Sequence, residues 1–139
     1  REKYFKAERA GDCVTRAIAI ATETDYKEVY DRIFELNKEY AKTRRGRVAK
    51  ALRKNPSPRN GVWREIYDLY FKEVGLTGTP TMKIGSGCKV HLDNAELPNG
   101  KLIVQVSGHF TAVIDGAVHD TYDPNIRGSR CVYKYWKVN

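Results

Sequence analysis

Residues 108–124 read GHFTAVIDGAVHDTYDP, and the pair Asp115-Gly116 at their centre decides the fold class. Asp-Gly between two alternating apolar runs is the signature of a two-residue hairpin turn, because both turn positions need a positive φ. With that loop, Ile114 pairs with Ala117, Thr111 lies opposite Asp120, and His109 lies opposite Tyr122. Side chains alternate between the faces of a strand, so His109, Thr111 and Val113 share one face with Val118, Asp120 and Tyr122. His109 and Asp120 become diagonal neighbours, within reach of a histidine–carboxylate contact. His119 and Asp123 fall on the other face.

Strand signals continue on both sides of this hairpin. KLIVQV precedes it, and CVYKYWK, residues 131–137, reads as the final strand. Farther upstream, TMKI (81–84) reads as a short strand and GSGCKVHL as a glycine-rich loop running into an extended piece. Before Gly75 the pattern is helical. Asp12 is placed to cap a helix over residues 13–22. Asp25 and Glu28 fit a capping box opening a second helix, whose Tyr26, Val29, Tyr30, Ile33, Leu36 and Tyr40 recur at helical spacing. A short helix is expected near 46–53, ahead of the breakers Pro56 and Pro58. NGVWREIYDLYFKEVGL gives a further amphipathic helix, with Asn60 near its start and Gly75 at its C′ position. Helices first and strands afterwards make an α+β chain, and 139 residues form a single domain, 1–139.

Composition bounds the partners. With 41% hydrophobic and 30% charged residues the chain reads as globular. No apolar run is long enough to span a bilayer and no signal-peptide pattern is present, so a cytoplasmic protein without membrane contact is expected. The formal net charge is +8. Much of it comes from KTRRGRVAKALRKNPSPR, residues 42–59, which holds eight Lys or Arg and no acid. Such a run attracts nucleic acid or an acidic protein partner, or else forms a solvated loop and helix face. Three cysteines without paired spacing argue for reduced thiols.

One of those cysteines stands in AGDCVTRAIAIAT, residues 10–22, at the first turn of the first helix. A buried cysteine packs like a small hydrophobe, but a helix N-terminus also favours an anion and so the thiolate. A carboxylate behind a histidine fixes the imidazole tautomer and favours its protonated form. Cys13, His109 and Asp120 together therefore have the composition of a thiolate–imidazolium couple with an orienting acid.

DCVTRAIAIA followed by GHFTAVIDGAVHDTYDP resembles the papain-like cysteine peptidase superfamily. The nearest resemblance is to its small bacterial branch of bacteriocin-leader peptidases, and to small uncharacterised proteins of that fold from bacteriophages and mobile elements. The resemblance covers the start of the first helix and residues 97–124. It implies a papain-like fold, with the nucleophile at the start of a helix packed on a C-terminal antiparallel sheet. It also implies Cys13 as nucleophile, His109 as general base, no cofactor, and a protein or peptide substrate; a phage-encoded chain would work in the host cytoplasm. The leader-peptidase branch points to Asp123, before Pro124, as the orienting acid, whereas strand parity points to Asp120, which we follow. The superfamily has a glutamine five or six residues before the nucleophile, donating to the oxyanion. Glu8 and Ala7 stand there instead, and the chain's single glutamine is Gln105. Arg9, Thr15 and Arg16 are the candidate replacements.

The expected activity is thus cleavage of a peptide or isopeptide bond. Acyl transfer through the same thioester is an alternative, as is an inactive papain-like module that binds nucleic acid or an acidic protein through 42–59. Cys88 and His91 are too few for a zinc site, so no metal is expected. Trp63, Tyr67, Tyr70 and Phe71, at helical spacing, read as a core stripe.

Overall fold

The computed structural model describes residues 12–81, 90, 97–106, 108–119 and 131–138. Four helices come first: α1 (Cys13–Thr22), α2 (Tyr26–Thr43), α3 (Arg47–Lys54) and α4 (Arg64–Glu73). The strands β1 (Gly78–Pro80), β2 (Lys101–Val106), β3 (His109–Ile114), β4 (Ala117–His119) and β5 (Val132–Val138) follow. They form one antiparallel sheet in the order β1-β5-β2-β3-β4. The α+β class and the helix-then-strand order of the sequence reading hold.

The Asp-Gly hairpin has the expected register, with Ile114 paired to Ala117 and Val113 to Val118. Asp115 and Gly116 have φ of 49° and 83°, the left-handed pair that a tight turn requires here. The Asp115 carboxylate also accepts a hydrogen bond from the Gly100 amide at 2.8 Å, joining this turn to the start of β2.

The sheet has two different faces. Ile103, Phe110, Ala112 and Trp136 belong to the main core, which buries residues of all four helices. Trp136 is its hub, 4.6 Å between centroids from Phe71 and 5.7 Å from Phe110. Leu102, Val104, Val106, Val113 and Val132 alternate with the first set and form a second, smaller core with Leu97 on the opposite face. Helices α2 and α3 are strapped together: Arg53 Nη1 donates to the Ala41 carbonyl at 2.8 Å. Asn37 Nδ2 donates to the Pro56 carbonyl at 2.7 Å, which holds the following loop as well.

Helix starts depart from the expectation. Neither Asp12 nor Asp25 makes a side-chain capping bond, although each occupies the N-cap position. Asp12 is instead drawn inward by Arg16, one turn along the helix, and by Tyr26 of the next helix, described below. Helix α4 starts after Trp63, not at Asn60. At its other end Gly75, with φ 80°, is the expected C′ residue. The Leu76 amide bonds the Phe71 carbonyl and the Gly75 amide the Lys72 carbonyl, the two bonds of a Schellman closure. A short strand lies at Gly78–Pro80, just before TMKI, of which 82–84 lie outside the described residues.

Candidate active site

Helix α1 is buried nearly all round: Val14, Thr15, Arg16, Ala17, Ile18, Ala19 and Ala21 are all inaccessible. Two facts fix its direction. It packs along β3, and Glu23, just past its C-terminus, forms an ion pair with Lys101 at the start of β2. Lys101 stands opposite Ile114, the last residue of β3. Helix α1 therefore runs in the same direction as β3, and Cys13 at its first position lies toward the end of the sheet where β3 begins. The first residue of β3 is His109. A helix of 10 residues is about 15 Å long and a strand of 6 residues slightly longer, so the two spans match end to end.

Cys13 is a free thiol, half-buried and packed against the main core. His109 is 5% exposed and follows directly on Gly108, whose φ of 66° turns the chain from β2 into β3. Its register partner is Val106, a member of the smaller core. The face that His109 shares with Thr111 and Val113 is thus the one turned away from the helices, a point that strand parity within the hairpin leaves open. The fold brings Cys13 and His109 to one end of the α1–β3 layer. Among the described residues no hydrogen bond joins the Cys13 sulfur to His109. Asp120 and Asp123 both lie outside the described residues.

A buried polar cluster flanks Cys13. Arg16 Nη1 bonds Asp12 Oδ1 at 2.7 Å and the Tyr26 hydroxyl donates to Asp12 Oδ2 at 3.0 Å. Asp12 and Arg16 are 3% and 1% exposed. Burial pushes the Asp12 carboxyl above its ordinary range, against the opposing pull of Arg16. Burial, and then the Asp12 charge, push the Tyr26 phenol up. Because Asp12 turns inward, its side chain does not cap the first amides of α1, and the positive end of the helix lies beside Cys13. Of the candidate oxyanion donors, Arg16 has one nitrogen committed to Asp12. Thr15 is fully buried with its hydroxyl unpartnered among the described residues. Arg9 lies outside them.

The cysteine expectation needs a correction. Cys131 is disulfide-bonded, so the thiols are not all reduced; spacing along the chain does not show which cysteines a fold brings within bonding distance. Cys88 and His91 lie outside the described residues. Among the described residues no cluster of three or more His, Cys, Asp or Glu is arranged to hold a metal. Among them, too, no helix is long and apolar enough to cross a membrane.

Sequence reasoning missed a groove on the helix side of the same sheet end. It encloses about 620 Å³ and is lined by Asn55, Asn60, Trp63, Arg64, Tyr67 and Gln105, among others. Trp63 was expected in the core stripe but is 36% exposed, because it precedes α4 and so escapes the helical spacing of Tyr67 and Phe71. No known protein family, curated protein or solved structure matches this chain.

Proposed function

We propose that the chain is a papain-like thiol hydrolase that cleaves a peptide or isopeptide bond with Cys13 as nucleophile, His109 as general base and Asp120 as the acid orienting it. The observation that supports this reading most directly is the arrangement of α1 against β3. A free, partly accessible thiol at a helix start that Asp12 does not cap and a histidine at a strand start lie toward the same end of α1 and β3. The reading requires the imidazole to turn round the end of the sheet toward the helix terminus.

In the proposed reaction the Cys13 thiolate adds to the substrate carbonyl carbon. As the C–N bond breaks, the His109 imidazolium gives its proton to the leaving amine. Water, deprotonated by His109, then adds to the thioester; the C–S bond breaks, releasing the acid and restoring the thiolate. The Cys13 amide supplies one donor to the oxyanion.

Alkylation by iodoacetamide without reductant tests this reading. Cys13→Ala should remove the adduct formed by the native protein. His109→Ala should slow alkylation near neutral pH and displace the rate–pH profile upward, because the thiolate loses its imidazolium partner. An unchanged profile in His109→Ala would show that the two groups are uncoupled, and the hydrolase reading would fall.

A further inference from the structure

We propose that the groove between α3 and the start of α4 binds single-stranded nucleic acid, with bases against Trp63 and phosphates along the exposed side of α3. The charge is one-sided. From Ala41 through Arg64 the sequence holds nine Lys or Arg and no Asp or Glu. Helix α3 buries Val48, Ala49 and Leu52 and turns Arg47, Lys50, Arg53 and Lys54 to solvent. That is a row of cations with no acid in the row to neutralise it, the electrostatic requirement for tracking a phosphate backbone.

The groove beside this row has the other half of the chemistry. Arg47 lies 5.5 Å over the Trp63 ring, a cation–π contact that steadies the indole while over a third of the residue stays in solvent. Behind it stand the Tyr67 and Gln105 side chains, and Asn55 and Asn60 bring amides to the rim. Aromatic faces stack bases and amides read base edges. The volume, about 620 Å³, lies in the range that holds a small ligand such as a nucleotide. The walls are firm, since Asn37 holds Pro56 and Tyr30 holds Ser57 through a 3.0 Å hydroxyl contact. An acidic peptide would use the cations but has no need of an exposed indole in an amide-edged groove, so nucleic acid fits better.

The test is fluorescence anisotropy with a labelled 12-mer of oligouridylate, carried out in the Cys13→Ala background so that its result is independent of the hydrolase reading. Binding should weaken steeply with salt. Trp63→Ala should weaken it roughly tenfold, and Trp63→Phe, which keeps a stacking face, should restore most of the loss. The double variant Lys50→Glu/Lys54→Glu should weaken binding and reduce the magnitude of the log–log salt slope by about 1.4, at about 0.7 per phosphate contact on a single strand. An unchanged affinity in Trp63→Ala, or equally tight binding of a labelled 12-mer of polyglutamate, would overturn the proposal.

Discussion

Asp12 Oδ1 stands 2.7 Å from Arg16 Nη1 one helical turn away, and both side chains are buried. The two residues bracket Cys13, and Tyr26 closes the cluster from the next helix. Breaking a buried pair leaves an uncompensated charge, which costs far more than the pair contributes. Asp12→Leu and Arg16→Met should therefore each destabilise the fold by about 3–5 kcal/mol. The double variant Asp12→Leu/Arg16→Met should lose less than the sum of the two single losses, because the contact between these two charges is lost only once. Urea denaturation of the four proteins checks this; a double variant as unstable as the sum of the singles would show that the ions do not act as a pair.

Two carboxylates of the helical half should give stability opposite pH slopes. Glu73 accepts two hydrogen bonds from Arg32, which hold its carboxyl below the ordinary 4.5. A depressed folded value contributes stability above 4.5 that is lost as pH falls through the folded value. Both partners are more than a third exposed at the side chain, or nearly so, so the effect is that of a surface pair, about 0.2–1 kcal/mol. Asp12 is raised above 3.8 by burial, so its folded form takes up a proton more readily than the unfolded chain does. Its contribution is fully present below 3.8 and is lost as pH rises from there through the folded value. Urea midpoints between about pH 3 and pH 7, the span around the ordinary carboxylate values, should therefore fall less on acidification in Glu73→Gln than in the native protein. They should fall more in Asp12→Asn. Parallel curves for all three would contradict the assignment.

The features legible in the sequence are those set by local chemistry. Asp115-Gly116 fixes its own turn, and the turn fixes the register of β3 and β4. Gly75 closes α4 because its position demands a positive φ. What the sequence hides is long-range. Asp12 looks like a cap until Tyr26, 14 residues on, takes its second oxygen. The placing of β5 between β1 and β2 leaves no local trace, and neither does the bond at Cys131. The face that His109 shares with Val106 could be named only once the helices were seen to cover the other one. The candidate site was thus legible as a set of residue types on two elements, and its end-to-end alignment only from the Glu23–Lys101 pair.

Two glycines near the junction of helix and sheet should respond differently to the same substitution. Gly75 has φ 80° and open space where a Cβ would stand. Its replacement meets no neighbour, so Gly75→Ala should cost only the left-handed backbone strain, about 1–2 kcal/mol, and Gly75→Asn less. Gly78 has ordinary backbone angles but pairs with Trp136. A Cβ there would stand 2.7 Å from the Trp136 ring nitrogen and closer still to the Lys134 side chain. Lys134 is free to swing aside, whereas Trp136 is locked among Phe71, Tyr67 and Phe110. Gly78→Ala should therefore displace either β1 or the indole, with an overpacking cost of about 1–3 kcal/mol and an altered near-ultraviolet circular dichroism signal from Trp136. Gly75→Ala should leave that signal unchanged while lowering the urea midpoint. If both variants leave the aromatic signal intact, β1 moves independently of the core. If Gly78→Ala also costs nothing, the close approach of Gly78 to the indole is not part of the folded protein.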